Sequence, residues 1–200
     1  PKKKCLTLKT IQLNILFMTK LSLGFIGFGN MATAVYNGLA QNKQTFSKIY
    51  VCEKAKKKLP KSVVSLSHED LITKSDIIII AIKPQQLNDI KSFFENKDLS
   101  KKCLVSIMAG TTLKTLSKLS PSLKSIIRVM PNTAAQIQES ISMLAKNKQC
   151  NKSAYILNGN IYCSCHHVQC RFCHICMRMV CIFISIKFSF HCTHIDNEFI

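Results

Sequence analysis

The chain has 200 residues, 47% of them apolar, which suits one packed domain with an appendage. Its formal charge of +18 comes from 25 lysines and only 3 arginines, spread in short runs such as Lys56, Lys57 and Lys58. Base readers rely on the planar fork of Arg, and single-strand binders interleave aromatics with basic groups, so a nucleic-acid partner is not expected. The longest nearly uninterrupted apolar stretch, Met179 to Phe190, contains Lys187 and falls short of the ~20 residues of a membrane helix, so no membrane partner is expected either.

The averages hide two polymers. Residues 1–149 hold 3 of the 11 cysteines and 1 of the 6 histidines, whereas residues 150–200 hold the other 8 and 5. Net charge divides the other way, +16 against +2. Composition therefore predicts a boundary near Cys150. The sparse, unpaired cysteines before it fit a reducing compartment, the cytoplasm.

Residues 1–17 contain no acidic side chain and alternate Lys with Leu and Ile. They lack a small-residue cleavage site and the Arg bias of transit peptides, and read as a leader or as sequence upstream of a start at Met18. From Leu21 the pattern is strand, glycine turn, helix. Leu21–Ile26 is a short apolar run, Gly27-Phe28-Gly29 breaks it, and Asn30–Gln41 carries Met31, Ala34, Val35 and Leu39 at helical spacing. A second strand is predicted at Lys48–Cys52, ending in Glu53. A short polar link with Pro60 leads to a brief strand near Val63-Val64, then to a helix starting at the Ser67-His68-Glu69-Asp70 cap.

Asp76 introduces Ile77–Ile82, a β-branched run expected to be a central strand buried on both faces. Further elements are a helix at Gln85–Asn96, a strand at Cys103–Ile107, a helix at Leu113–Leu119 and a strand at Ile126–Val129. Such alternation predicts an α/β fold with a doubly wound, mainly parallel Rossmann sheet over residues 18–149. Residues 150–200 have one glycine, no proline and no clean periodicity, and are expected to form an irregular, poorly ordered tail.

Gly27-Phe28-Gly29-Asn30-Met31-Ala32 is a G-x-G-x-x-A turn in the right context, after a strand and opening a helix. Its first glycine permits the tight turn and its second lets the backbone approach a pyrophosphate. Ala32 allows close helix packing, and the helix N-terminus offers N–H groups and a positive dipole. Glu53 follows 24 residues after Gly29, where an acid accepts hydrogen bonds from the adenosine ribose of NAD and repels the 2′-phosphate of NADP. Lys54, Lys56, Lys57 and Lys58 come directly after it and are able to neutralise that phosphate, so the choice between NAD and NADP stays open.

Four segments together, GFIGFGNMA (Gly24–Ala32), AIKPQ (Ala81–Gln85), VSIMAG (Val105–Gly110) and RVMPNT (Arg128–Thr133), resemble Δ1-pyrroline-5-carboxylate reductase, the last enzyme of proline biosynthesis. The resemblance covers about residues 20–145 and implies an NAD(P)H-binding Rossmann domain. It places Gly27, Gly29, Asn30 and Met31 at the pyrophosphate and Glu53 at the ribose. It sets Ala81, Ile82, Lys83 and Pro84 beside the cofactor, and Ala109 and Gly110 on the nicotinamide side, with Met130-Pro131-Asn132 flooring the cleft. Lys83 also reads as a solvated loop lysine, and Pro84 as a helix start.

There are departures. His68 stands where the family usually has an Asn near the cofactor; a helix cap or surface histidine is an equal reading. Ala134 and Ser140 replace a usual Pro and Gly, and the Glu53–His68 stretch is short, so an irregular corner of the sheet is expected. The family's second, all-helical half, which dimerises and holds the substrate, has no counterpart after residue 150. The resemblance therefore implies reduction of pyrroline-5-carboxylate to L-proline by the full family member, a homo-oligomer. For this chain it implies a truncated cofactor-binding fragment without turnover and without a catalytic residue.

In the tail, Cys163, Cys165, His166, His167, Cys170, Cys173, His174 and Cys176 would exceed the ligands of a tetrahedral zinc. They crowd together with no glycine among them, and the tail reads better as sequence foreign to the enzyme, from read-through or a shifted frame, than as a metal site. The alternatives are a non-catalytic cofactor- or zinc-binding interaction protein, or another β-hydroxyacid dehydrogenase-like reductase.

Overall fold

The computed structural model describes residues 21–41, 46–55, 58–137, 140–150, 154 and 166–169. In chain order the elements are β1 (Ser22–Ile26), α1 (Asn30–Gln41), β2 (Lys48–Cys52), β3 (Val63–Ser65), α2 (His68–Lys74) and β4 (Ile77–Ile80). There follow α3 (Leu87–Lys91), β5 (Cys103–Ser106), α4 (Leu113–Ser117), β6 (Ser125–Met130), β7 (Ser140–Lys146) and β8 (His166–Gln169). They form one eight-stranded sheet in the order β3-β2-β1-β4-β5-β6-β7-β8. All described pairs are parallel except β6 with β7. The order reverses between β1 and β4, the switch point at which an open sheet of this kind leaves a crevice at its carboxyl edge.

Two cores flank the sheet. On one side Phe28, Ala32, Val35 and Leu39, a stripe at helical spacing on and just before α1, pack against Leu23, Phe25, Ile77, Ile79, Val105 and Val129. On the other, Leu71 and Ile72 of α2, Leu87 and Ile90 of α3 and Leu116 of α4 cover Ile78, Ile80, Leu104 and Ile126. β4 thus sends Ile77 and Ile79 into one core and Ile78 and Ile80 into the other. Burying each such side chain contributes about 1.5–3 kcal/mol, which makes this strand the spine of the fold.

The strand predicted over Ile77–Ile82 ends at Ile80. Ala81 and Ile82 leave the ladder, although the Ala81 N–H still donates to the Ile26 carbonyl at 2.8 Å. The predicted Gln85–Asn96 helix is a composite. A 3-10 turn at Pro84–Gln86, with the proline in its first turn, leads into α3, and a second 3-10 turn at Ser92–Phe94 ends it. Asn96 closes the segment in the left-handed region at φ 57°, which a short polar side chain tolerates better than most.

The link from β2 to β3 forms no regular helix in its described residues, 53–55 and 58–62. About a dozen residues are normally needed for a crossover, and the shortage leaves α1 as the main helix of its face. Beyond Val129, where no further strand of the domain was expected, β7 pairs antiparallel with β6. Cys150 is buried with the α1-side core, and partly buried Ala154 packs on it. The compositional boundary at Cys150 therefore coincides with a core residue. Residues 1–17 and most of the Cys/His-rich tail lie outside the described residues.

Candidate functional site

Phe28, the middle residue of the glycine turn, anchors the site. Its side chain is 1% exposed and stands edge-on to Phe25 at 5.5 Å and Tyr36 at 5.8 Å. With this ring held inside, Gly27 is buried against the end of β4 and Gly29 comes out at the surface. Gly27 has φ +83°, and a Cβ there would meet the Ala81 carbonyl oxygen at 2.7 Å. Its N–H donates to the Cys52 carbonyl at 2.8 Å, which ties the turn to the end of β2. Gly29 is the opposite case: a Cβ there would meet nothing within 4 Å, so a groove open to the backbone lies against the start of α1. An α-helix leaves its first N–H groups without intrahelical acceptors, and with the dipole they favour an anion at that end.

Glu53 faces this turn. Its carboxylate accepts from the Phe28 N–H at 2.7 Å and from the Ala55 N–H at 3.0 Å. The acid thus braces the glycine loop as well as standing at the tip of β2. Lys54, on the same loop, reaches the Asp89 carboxylate of α3 at 3.7 Å. The Lys83 N–H donates to the Gln86 side-chain oxygen at 3.1 Å, which fixes the turn that leads into α3.

The resulting cleft is lined by Gly27, Gly29, Cys52, Glu53 and Lys54 of the glycine turn and the tip of β2, by His68 at the start of α2, and by Ala81, Ile82, Lys83, Gln86, Asp89 and Ile90 from the end of β4 to α3. Seven of the twelve residues expected at a cofactor therefore come together: Gly27, Gly29, Glu53, His68, Ala81, Ile82 and Lys83. Asn30 and Met31 open α1 at its edge without lining it, and Pro84 begins the adjoining 3-10 turn. Ala109 and Gly110 lie past the end of β5, two strands from β1, where Gly110 is exposed at φ +66°. The cleft is thus the β2 end of the predicted site, and the nicotinamide-side residues are not part of it.

His68 begins α2, but the cap itself is Ser67, whose hydroxyl accepts from the Asp70 N–H at 3.1 Å. The imidazole stacks on Phe93 at 4.7 Å, nearly parallel, while lining the cleft. Burial, and then the Lys54 ammonium, hold it below the ordinary histidine value, so it is neutral near pH 7. Burial, followed by Glu53, raises the Cys52 thiol, which marks it as an apolar wall rather than a nucleophile. Sequence reasoning did not place Gln86, Asp89 and Ile90 in the site. Asp89 and Ile90 follow Gln86 by three and four residues, and this spacing was the available signal, since it puts the three on one face.

Among the described residues no three of His, Cys, Asp and Glu come together as a metal site, and no helix is long and apolar enough to cross a membrane. The tail residues considered as zinc ligands lie outside the described residues, except His166 and His167, whose backbone forms part of β8.

Comparison with known proteins bears on the fold and on the resemblance read from the sequence motifs. Residues 22–110 match a family model described as NADP oxidoreductase, coenzyme F420-dependent. The pyrroline-5-carboxylate reductase of Haemophilus influenzae is 34% identical over 136 residues, 66% of this chain and 50% of the relative. That of Methanosarcina acetivorans is 33% identical over 138 residues, 66% of this chain and 51% of the relative.

The chain resembles the pyrroline-5-carboxylate reductases.

A solved Plasmodium falciparum pyrroline carboxylate reductase with NADP bound superposes with a TM-score of 0.67 at 29% identity, covering 76% of this chain and 58% of that one. The chain spans about half the length of the curated reductases it matches. The Rossmann-type α/β fold is common to both.

Proposed function

We propose that the cleft holds the adenosine and diphosphate end of NAD or NADP, and that the chain is the cofactor-binding half of a pyrroline-5-carboxylate reductase-type oxidoreductase. The observation that carries this reading is the pairing of two features at the switch point. Gly29 leaves the backbone at the start of α1 open to a phosphate, and Glu53 stands across from it, bonded to the Phe28 N–H. An anion at the helix end and a ribose at the tip of β2 fit a dinucleotide better than they fit a simple phosphate ester.

When bound, the reduced nicotinamide supplies a hydride. The chain's own residues bind and orient. Gly27 and Gly29 set the distance of backbone to diphosphate, Glu53 braces the loop and meets the ribose, and Ala81 and Ile82 give the adenosine an apolar side. Reduction of a cyclic imine also requires its carbon to be held against the nicotinamide in near-attack geometry, where much of the rate of such steps originates. By resemblance the groups for this lie in the second half of the reductases. The reading is therefore cofactor binding by residues 1–200 without turnover, in a reducing, cytoplasmic setting.

The test combines two measurements on the full chain: titration with NADH and NADPH, and absorbance of the reduced nicotinamide after adding pyrroline-5-carboxylate. Saturable binding with no consumption is expected. Failure to bind either dinucleotide would remove the cofactor reading, and steady oxidation of the cofactor would show that these residues suffice for catalysis.

A further inference from the structure

Among the described residues the lining of the cleft is close to neutral in a chain of formal charge +18: Lys54 and Lys83 are balanced there by Glu53 and Asp89, with His68 uncharged. A binding site for a polyanion in so basic a protein would be expected to be cationic, so the two carboxylates call for separate explanations. Glu53 has one, because both its oxygens accept backbone N–H groups of the cleft's own loops. Asp89 has a different partner. It projects from α3 on one wall and meets Lys54 on the other, at 3.7 Å, with the two side chains 54% and 66% exposed.

We infer that Asp89 is a specificity-determining residue, acting against the 2′-phosphorylated dinucleotide by holding Lys54 across the adenosine end of the cleft. This rests on the cofactor reading above. Lys54 follows Glu53 at the tip of β2, where the ribose of a dinucleotide is received, and its ammonium reaches the Asp89 carboxylate of α3. A 2′-phosphate carries a charge approaching −2 near pH 7 and forms charge-assisted bonds to such a group. To reach Lys54 it must displace Asp89 and then lie beside that carboxylate. An unphosphorylated ribose leaves the pair in place as a clasp over the adenosine. The pair is exposed, and exposed pairs contribute little, so the exchange is easily made and Asp89 biases the choice without forbidding either cofactor.

The experiment measures dissociation constants of NADPH and NADH for the full native chain, Asp89→Asn and Lys54→Ala, and follows their ratio. Removing the carboxylate is expected to shift the ratio about two- to fivefold toward NADPH, the range of one exposed charge interaction. Removing the ammonium is expected to shift it about tenfold toward NADH, the range of one charge-assisted hydrogen bond. If both cofactors bind and Asp89→Asn leaves the ratio unchanged, or changes both constants equally, the inference is wrong and the pair is an ordinary surface contact. If neither cofactor binds the native chain, the cofactor reading itself fails and the inference falls with it.

Discussion

The two glycines of the turn do different work. Gly27 is fixed by conformation and contact, since any side chain there meets both a positive φ and the Ala81 carbonyl. Gly27→Ala is expected to lower stability by about 2–4 kcal/mol in denaturant unfolding, from backbone strain and a forced shift of the loop. Gly29→Ala is expected to unfold within about 0.5 kcal/mol of the native chain, because its Cβ enters open space. Its effect falls instead on dinucleotide binding, since the methyl occupies the approach to the backbone. Both glycines were legible from the motif, but the distinction between them required the neighbouring strand.

His68 carries a pH signature. Its folded-state value lies below the ordinary 6.5, mainly through burial. As pH falls past that ordinary value the unfolded chain takes up the proton first, so stability declines across the window between 6.5 and the lower folded value. From about a unit above 6.5 the residue contributes no slope, because both states are then neutral. His68→Asn is expected to abolish this part of the decline, seen as a flatter dependence of the unfolding midpoint on pH. A native chain and variant with parallel curves would mean that the ring is solvated.

At the scale of elements, the reading succeeded where periodicity and burial agree. α1 has its predicted bounds because Ala32, Val35 and Leu39 fall on one face, and β4 was recognisable because four isoleucines bury on both sides. β7 was missed because its pattern contradicts its burial: Ser142 and Leu144 are inside while Met143 is 49% exposed. No hydrophobicity rule places a serine inward in preference to a methionine. The strand is nonetheless structural, and Leu144→Ala is expected to cost about 2–5 kcal/mol, as for other fully buried leucines. A loss below about 1 kcal/mol would indicate that β7 contributes little to the core.

α2 is fastened at both ends by side chains. Ser67 caps its start, and the Lys102 ammonium donates to the carbonyls of Thr73 and Ser75 at 2.8 and 2.7 Å. This fixes the ledge that carries His68 into the cleft. Ser67 was readable as a local cap. Lys102 was not, because its partners lie 27 and 29 residues away and meet it only after β4 and β5 have paired.

For the whole molecule, the strand order and the position of the cleft follow from the alternation of elements and the right context of the glycine motif. The extent of the cleft did not, because it depends on how α3 packs over the end of β4. Asp89 entered the site through that packing, whereas Ala109 and Gly110 lie two strands away along the carboxyl edge. The charge of +18 likewise proved a poor guide to the site, where carboxylates and ammonium groups balance. In the proposed function the groove beside Gly29 receives a dinucleotide diphosphate. Its most direct test is calorimetric titration of NADH and NADPH into the full chain and into Gly29→Ala. Saturable one-to-one binding to the native chain is expected, and binding at least about tenfold weaker to a variant that unfolds normally. Equal binding to both, or none to the native chain, would contradict it.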